Sequence, residues 1–189
     1  MRVIAGQAKG MRLASPNGMT TRPTSDRVKE ALFSILDSSG CLQDALVLDL
    51  FAGSGALGIE ALSRGARYAV FVENNRAALE ALRQNLTKTK LTEQSEILAY
   101  EGIRALEQLT RQNKRFSLIL MDPPYRSTDY GKAIERAGNN LLLPGGLLVA
   151  ETAVGNQLPE QLGRCRQSDQ RQYGSTALVF YTVESDHAP

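Results

Sequence analysis

From residue 45 onward the chain alternates between short apolar runs and longer segments whose apolar residues recur at helical spacing. The runs ALVLDLF (45–51), YAVFVE (68–73), SEILAYE (95–101), FSLILMD (116–122) and PGGLLVAE (144–151) have the length and branched or aromatic content of buried strands. Between them ALGIEALSRG, NRAALEALRQNLTKT, GIRALEQLTRQ and DYGKAIERAGNN repeat with the period of an amphipathic helix. This strand–helix alternation predicts a mainly parallel sheet covered by helices on both faces. At the end of the chain, RQSDQRQYGSTALVFYTV predicts two strands joined around Tyr173-Gly174, adding an antiparallel strand at one edge.

The first forty residues differ in pattern. RVIAG and MRLAS read as two short strands about the turn QAKG, and PNGMTTRPT reads as a loop. SDRVKEALFSILDSSG predicts a helix with Val28, Ala31, Leu32, Ile35 and Leu36 on one face. Thr24 or Ser25 is placed to cap it, and Gly40 lies just past its end. The chain predicts a single domain over 1–189, with residues 1–24 as a basic hairpin arm.

Composition then removes several possibilities. At 189 residues, 42% hydrophobic and 22% charged, the chain is ordinary for a globular domain with a real core. No apolar run approaches the roughly 20 residues of a membrane helix, and the N-terminus has no signal-peptide core, so a cytoplasmic protein is expected. Two cysteines, Cys41 and Cys165, far apart in sequence, argue against a disulfide scaffold or a four-ligand zinc site. The single histidine, His187, sits in the polar tail, so chemistry built on a histidine base or a histidine metal cluster is not expected, and no metal is. Net charge is only +2, but residues 1–30 carry six bases (Arg2, Lys9, Arg12, Arg22, Arg27, Lys29) against Asp26 and Glu30. A local excess of this kind suits contact with a polyanion.

The turn after the first strand, Gly53-Ser54-Gly55-Ala56-Leu57-Gly58, matches G-x-G-x-x-G between a strand and a helix, and Glu73 ends the next strand. Glycines that allow close approach and an acid for ribose hydroxyls together suggest a nucleotide-type cofactor. A nicotinamide dinucleotide and S-adenosylmethionine compete for this arrangement. Asp49, at the carboxyl end of the first strand, favours the second: a carboxylate there repels a pyrophosphate and suits a sulfonium and an ammonium. Glu73 then accepts from the ribose hydroxyls, and Glu101, at the end of the third strand, is placed to accept from the adenine amino group. Ser54, Asn74 and Gly102, next to these positions, complete the expected cofactor site together with Asp122.

The fourth strand ends on Asp122-Pro123-Pro124-Tyr125. One proline suffices to end a strand; two, between an acid and an aromatic ring, do more. An exocyclic amino group on a nucleobase is a poor nucleophile because its lone pair is shared with the ring. Two acceptors converging on its N–H groups return electron density to nitrogen. Asp122 offers a carboxylate and Pro123 a backbone carbonyl, which Pro124 holds by confining residue 123 to an extended conformation. Tyr125 offers a flat face for an unpaired or flipped-out base. Asp122, Pro123, Pro124 and Tyr125 are therefore the expected catalytic residues. Asp122 or water takes the proton that leaves the methylated amine.

Taken together, D-P-P-Y and LDLFAGSG resemble the amino-directed methyltransferases of nucleic acids. RVIAGQAKGMRL, RPTSDRVKEALFSIL, LDLFAGSGALGIEALSRGA, FVENN and the terminal YGSTALVFY resemble the bacterial RsmD family, 16S ribosomal RNA guanine-N2 methyltransferases, over nearly the whole chain. The resemblance implies a Rossmann-like class I α/β fold, with a seven-stranded sheet of order 3-2-1-4-5-7-6 and strand 7 antiparallel. It implies methyl transfer from S-adenosylmethionine to the N2 amino group of a guanine in small-subunit rRNA, by a monomer that meets rRNA or the ribosomal subunit and no membrane. Gly53 and Gly55 approach the methionine part of the cofactor. The family often has Phe where Tyr125 stands, so stacking rather than the hydroxyl is its expected role. Arg2, Lys9, Arg12, Arg22 and Arg27 are the expected RNA-binding bases. The main alternative reading is adenine-N6 methylation of DNA or RNA; a nicotinamide oxidoreductase and a non-catalytic RNA-binding module are the others.

Overall fold

The computed structural model describes residues 1–16, 26–123 and 130–183. Helices α1 (Asp26–Ser38), α2 (Ala56–Ser63), α3 (Arg76–Thr89), α4 (Gly102–Arg111) and α5 (Tyr130–Asn140) alternate with β1 (Leu46–Leu50), β2 (Tyr68–Val72), β3 (Ser95–Leu98), β4 (Phe116–Met121) and β5 (Leu142–Ala153). The chain ends with β6 (Gln161–Leu162), β7 (Cys165–Tyr173) and β8 (Thr176–Val183). They form one eight-stranded sheet of order β3-β2-β1-β4-β5-β8-β7-β6. Strands β1 to β5 are parallel, and β8 inserts antiparallel between β5 and β7. This is the expected seven-strand order with one addition, since the count of seven misses β6. At two residues β6 carries no periodicity to read, and it exists only because Gln161 and Leu162 pair with Arg166 and Cys165.

The central strands are apolar on both faces because both faces are covered. One face packs Val47, Phe71, Leu118 and Leu120 against α1, α2 and the N-terminal segment; the other packs Leu48, Val70, Ile119 and Leu148 against α4 and α5. In α1 the buried residues are Val28, Lys29, Leu32, Phe33 and Leu36, so the apolar face includes Phe33, while Ala31 and Ile35 are only half-buried. The expected caps Thr24 and Ser25 lie outside the described residues.

The N-terminus corrects two expectations. RVIAG and MRLAS form no strands; a single antiparallel bridge joins Arg2 and Arg12, with Val3 N–H donating to Met11 O and Leu13 N–H to Met1 O. The hairpin packs closely on α2. Gly6 lies so close to α2 that a Cβ on it would meet the Ser63 carbonyl oxygen at 1.7 Å. Ala8 N–H donates to Ser63 Oγ, and Ile4 N–H and Ala5 N–H donate to the Glu60 carboxylate. Lys29, counted among the bases suited to a polyanion, is fully buried: its Nζ lies 3.3 Å from Glu60 Oε2 and donates to Arg2 O at 2.5 Å. Among the described residues no helix is long and apolar enough to cross a membrane.

Candidate active site

Register brings the candidate residues together. Leu50 pairs with Val72 on one side and Met121 on the other, and Met121 pairs with Ala150. One step further along these strands stand Glu73, Phe51, Asp122 and Glu151. Parallel strands lie about 4.8 Å apart, so these four residues form a row roughly 14 Å long at the carboxyl edge of the sheet. That is the edge where open α/β sheets bind ligands. Three of the four are acids. Glu151, buried at 6% exposure, is one that sequence reading did not pick out.

Asp49 sits two residues inside the row and is 2% exposed. Its Oδ2 accepts from Gly58 N–H at 2.8 Å, at the third residue of α2, so the carboxylate also caps the positive end of that helix. Its pKa is raised to about 7, first by burial and then by the negative charges of Asp122 and Glu73, with the Gly58 hydrogen bond pulling the other way. Among the described residues no base offsets this, so the site has the electrostatics of a receptor for a cation.

The glycine loop is built by two different constraints. Gly55 has φ +82, and a Cβ on it would meet Leu82 Cδ1 at 2.3 Å; Gly58 would meet Phe71 Cε1 at the same distance. Those glycines let α2 pack on α3 and β2. At Gly53 (φ +55) a Cβ would meet nothing within 4 Å. This glycine faces open space above the loop, as a position approached closely by a ligand should. Gly53 N–H donates to Glu73 Oε2 at 2.8 Å, and Asn74 and Asn75 N–H donate to Glu73 Oε1, both at 2.8 Å. The half-buried Glu73 carboxylate thus ties the loop to β2 and still has acceptor capacity for a diol.

Other expected residues have structural partners of their own. Glu101 is the N-cap of α4, its carboxylate accepting from Ile103 and Arg104 N–H. Gly102 is buried, and a Cβ there would meet the Phe51 ring at 2.7 Å. Phe51 itself is held at φ +71, a conformation that costs an aromatic residue about 1–3 kcal/mol and is typically kept at functional sites. Its ring locks the end of β1 to the start of α4. Ser54 gives its carbonyl oxygen to Asn85 Nδ2 at 2.9 Å; the same Asn85 amide donates to Ala14 O, and its Oδ1 accepts from Ala14 N–H. Asn85 is fully buried and joins the N-terminal segment to the glycine loop. A polar residue inside the apolar stripe of α3 was the available signal for it, as Glu60 was inside ALGIEAL.

Asp122 is half-buried and Pro123 buried at the end of β4; Pro124 and Tyr125 lie outside the described residues, as does Arg22. Arg2, Lys9, Arg12 and Arg27 are exposed. Arg2 and Arg12 form a non-hydrogen-bonded antiparallel pair, the arrangement that brings side chains closest, with Cα atoms about 4.5 Å apart. Lys88 of α3 adds a third charge, its Nζ donating to Arg12 O at 2.7 Å. Like charges set directly opposite destabilise a hairpin unless an anion joins them.

The family described as Conserved hypothetical protein 95 matches residues 1–182. The ribosomal RNA small subunit methyltransferase D of Escherichia coli K12 is 33% identical over 186 residues, covering 98% of this chain and 91% of that one. YlbH of Bacillus subtilis is 35% identical over 182 residues, 96% of this chain and 98% of that one. A solved structure from Escherichia coli, 34% identical, superposes with a TM-score of 0.84 and covers 98% of this chain and 99% of its own. With the sheet order and the glycine loop already pointing to a methyltransferase fold, the chain belongs to the RsmD family of ribosomal RNA methyltransferases.

Proposed function

We propose that this protein methylates the exocyclic N2 amino group of a guanine in small-subunit rRNA. The methyl donor that goes with its family and fold is S-adenosylmethionine, which supplies a methyl group already attached to a good leaving group, a cationic sulfur. The observation that carries the reading is the row of acids at the carboxyl edge, with the Asp49 carboxyl buried behind it and open space above Gly53. Asp49, Glu73 and the Gly53–Gly55 loop hold the cofactor, Ser54, Asn74, Glu101 and Gly102 lining the same edge. Asp122 and the Pro123 carbonyl accept from the two N–H groups of the guanine amine, so its lone pair localises on nitrogen as the bond to the methyl carbon forms and the carbon–sulfur bond breaks. Pro124 restricts residue 123, and Tyr125 stacks on the base. The extra proton on the product amine leaves to Asp122 or to water. An rRNA substrate places the protein in the cytoplasm, where it acts as a monomer.

The test is chemical. Small-subunit rRNA from cells lacking this protein should miss one guanine methyl. The purified protein with methyl-labelled S-adenosylmethionine should restore it as N2-methylguanosine. Label recovered in N6-methyladenosine would overturn the assignment of the base.

Cofactor binding should depend on pH. Asp49 must be ionised to favour a cation, so affinity for S-adenosylmethionine rises as pH climbs through about 7 and then levels off, with Asp49→Asn abolishing the dependence. Each unit by which the cofactor lowers that pKa corresponds to about 1.4 kcal/mol, or tenfold in affinity. Titration calorimetry on either side of neutrality measures it. The unliganded protein runs oppositely: Asp49 has a higher pKa folded than unfolded, so stability is lost between about pH 4 and about pH 7.

The Arg2–Arg12 pair, extended by Lys88, is the proposed phosphate-binding surface, with Lys9, Arg22 and Arg27 alongside. Replacing both Arg2 and Arg12 by alanine should weaken RNA binding regardless of sequence and reduce the slope of log affinity against log salt by about 1–2. Fluorescence anisotropy across a salt series reads both. An unchanged slope would remove this surface from the interface.

A further inference from the structure

We propose that Tyr130, the first residue of α5, is a positioning residue for the target site, its hydroxyl gripping the last carbonyl of β4 and thereby fixing the peptide that carries Asp122. The inference rests on the role given above to Asp122. Tyr130 is 9% exposed, and its hydroxyl lies 3.2 Å from the Met121 carbonyl oxygen and 2.9 Å from the Glu151 carbonyl oxygen. The single phenolic proton is shared between these two acceptors. Met121 C=O and Asp122 N–H belong to one planar peptide unit, so holding the carbonyl sets the orientation of Asp122 as well. The next peptide leads into Pro123, which offers no N–H to the sheet. The hydroxyl thus adds a side-chain hold on the last peptide that the ladder reaches. The second acceptor belongs to Glu151, the neighbour of Asp122 in the carboxyl-edge row, so one hydroxyl clamps the end of β4 to β5. Burial, with the negative charges of Asp122 and Glu151 nearby, drives the phenol pKa well up, which keeps the hydroxyl protonated.

Tyr181 supplies an internal control. It is also buried, and its hydroxyl donates to a carbonyl, that of Pro159, at 2.8 Å. Its strand position pairs with Leu148, three residues back from the row of acids. Tyr130→Phe and Tyr181→Phe each remove one hydroxyl from a buried carbonyl contact, and their melting temperatures should fall alike. Turnover should not. With small ribosomal subunits lacking the methyl as substrate, Tyr130→Phe is expected to lower kcat about tenfold or more, because a shift of around 1 Å at a reacting centre costs up to 100-fold. KM for S-adenosylmethionine stays within about twofold, because the positioning lost acts only in the transition state. Tyr181→Phe keeps the kcat of the parent. An unchanged kcat in Tyr130→Phe, or equal losses in the two variants, overturns the inference. If at the same time Asp122→Ala destroys turnover, the proposed function itself stands. Should Tyr130→Phe fail to fold, 3-fluorotyrosine incorporated singly at 130 or 181 provides a second measurement. Asp122→Asn must shift the fluorine resonance at 130 and leave that at 181 in place; no shift at 130 overturns the proposal.

Discussion

Asp122→Ala is expected to lower the rate of methyl transfer by about 1,000-fold or more while the protein folds and binds RNA as before. The size follows from what is lost. Removing one of two preorganised hydrogen-bonding groups aimed at a developing charge costs about 100- to 1,000-fold in comparable sites. The deletion also removes a candidate acceptor for the proton. Asp122 is half-buried at the end of a strand whose interior is fully packed, so truncation leaves no large cavity. Single-turnover transfer from methyl-labelled S-adenosylmethionine measures the chemical step, and anisotropy measures RNA affinity. Asp122→Asn should fall between, since its neutral amide oxygen still accepts from the N–H, but more weakly than a carboxylate, and cannot take up the proton. If Asp122→Ala transfers methyl groups at the parental rate, the two-acceptor mechanism is wrong.

Glu60→Gln should damage stability severely. The Glu60 side chain is fully buried and accepts from Ile4 N–H at 2.8 Å, Ala5 N–H at 3.0 Å and Arg64 Nε at 2.8 Å, with Lys29 Nζ at 3.3 Å. Lys29 is equally buried; desolvation lowers its pKa, and the Glu60 charge raises it again. Neutralising Glu60 strands the lysine charge and turns an amide NH2 towards donors. Breaking a buried pair from one side costs about 3–5 kcal/mol. For a chain of this size each kcal/mol is worth about 2–4 °C in Tm, so a fall of roughly 10 °C is expected. The pH dependence distinguishes this cause from a packing defect. A lysine whose pKa is lower folded than unfolded disfavours the folded state at neutral pH and ceases to do so as pH approaches its unfolded value. The Glu60→Gln deficit should therefore shrink between about pH 7 and about pH 10 in thermal unfolding. A deficit constant over that range would mean that the amide's lost hydrogen bonds, not the lysine charge, set the cost. Since Glu60 holds Ile4 and Ala5, the variant should also loosen the hairpin that presents Arg2 and Arg12.

Much of the candidate site was legible because its residues stand in short contiguous stretches. Gly53–Gly58 and Asp122-Pro123 each need only local geometry, and the structure puts them at one edge because parallel strands point the same way. Misread or missed residues are those whose role depends on a partner far along the chain. Lys29 looked like a surface base until α1 laid it against Glu60. Asn85 joins Ala14 to Ser54, and Tyr130 joins Met121 to Glu151; neither pairing has a local signature. Glu101 and Asp49 were read as cofactor contacts; in the structure each carboxylate caps a helix, a role with no local signature.

The order of elements, the two covered faces of the sheet and the acid–proline end of β4 came from the sequence alone, because hydrophobic periodicity and proline stereochemistry act over a few residues and tolerate little ambiguity. Which acids stand side by side, that Arg2 faces Arg12, and that an unpaired-looking lysine is buried were decided only by the tertiary structure. Those facts depend on strand register and on which helix covers which face, and a shift of one residue in pairing would have scattered them.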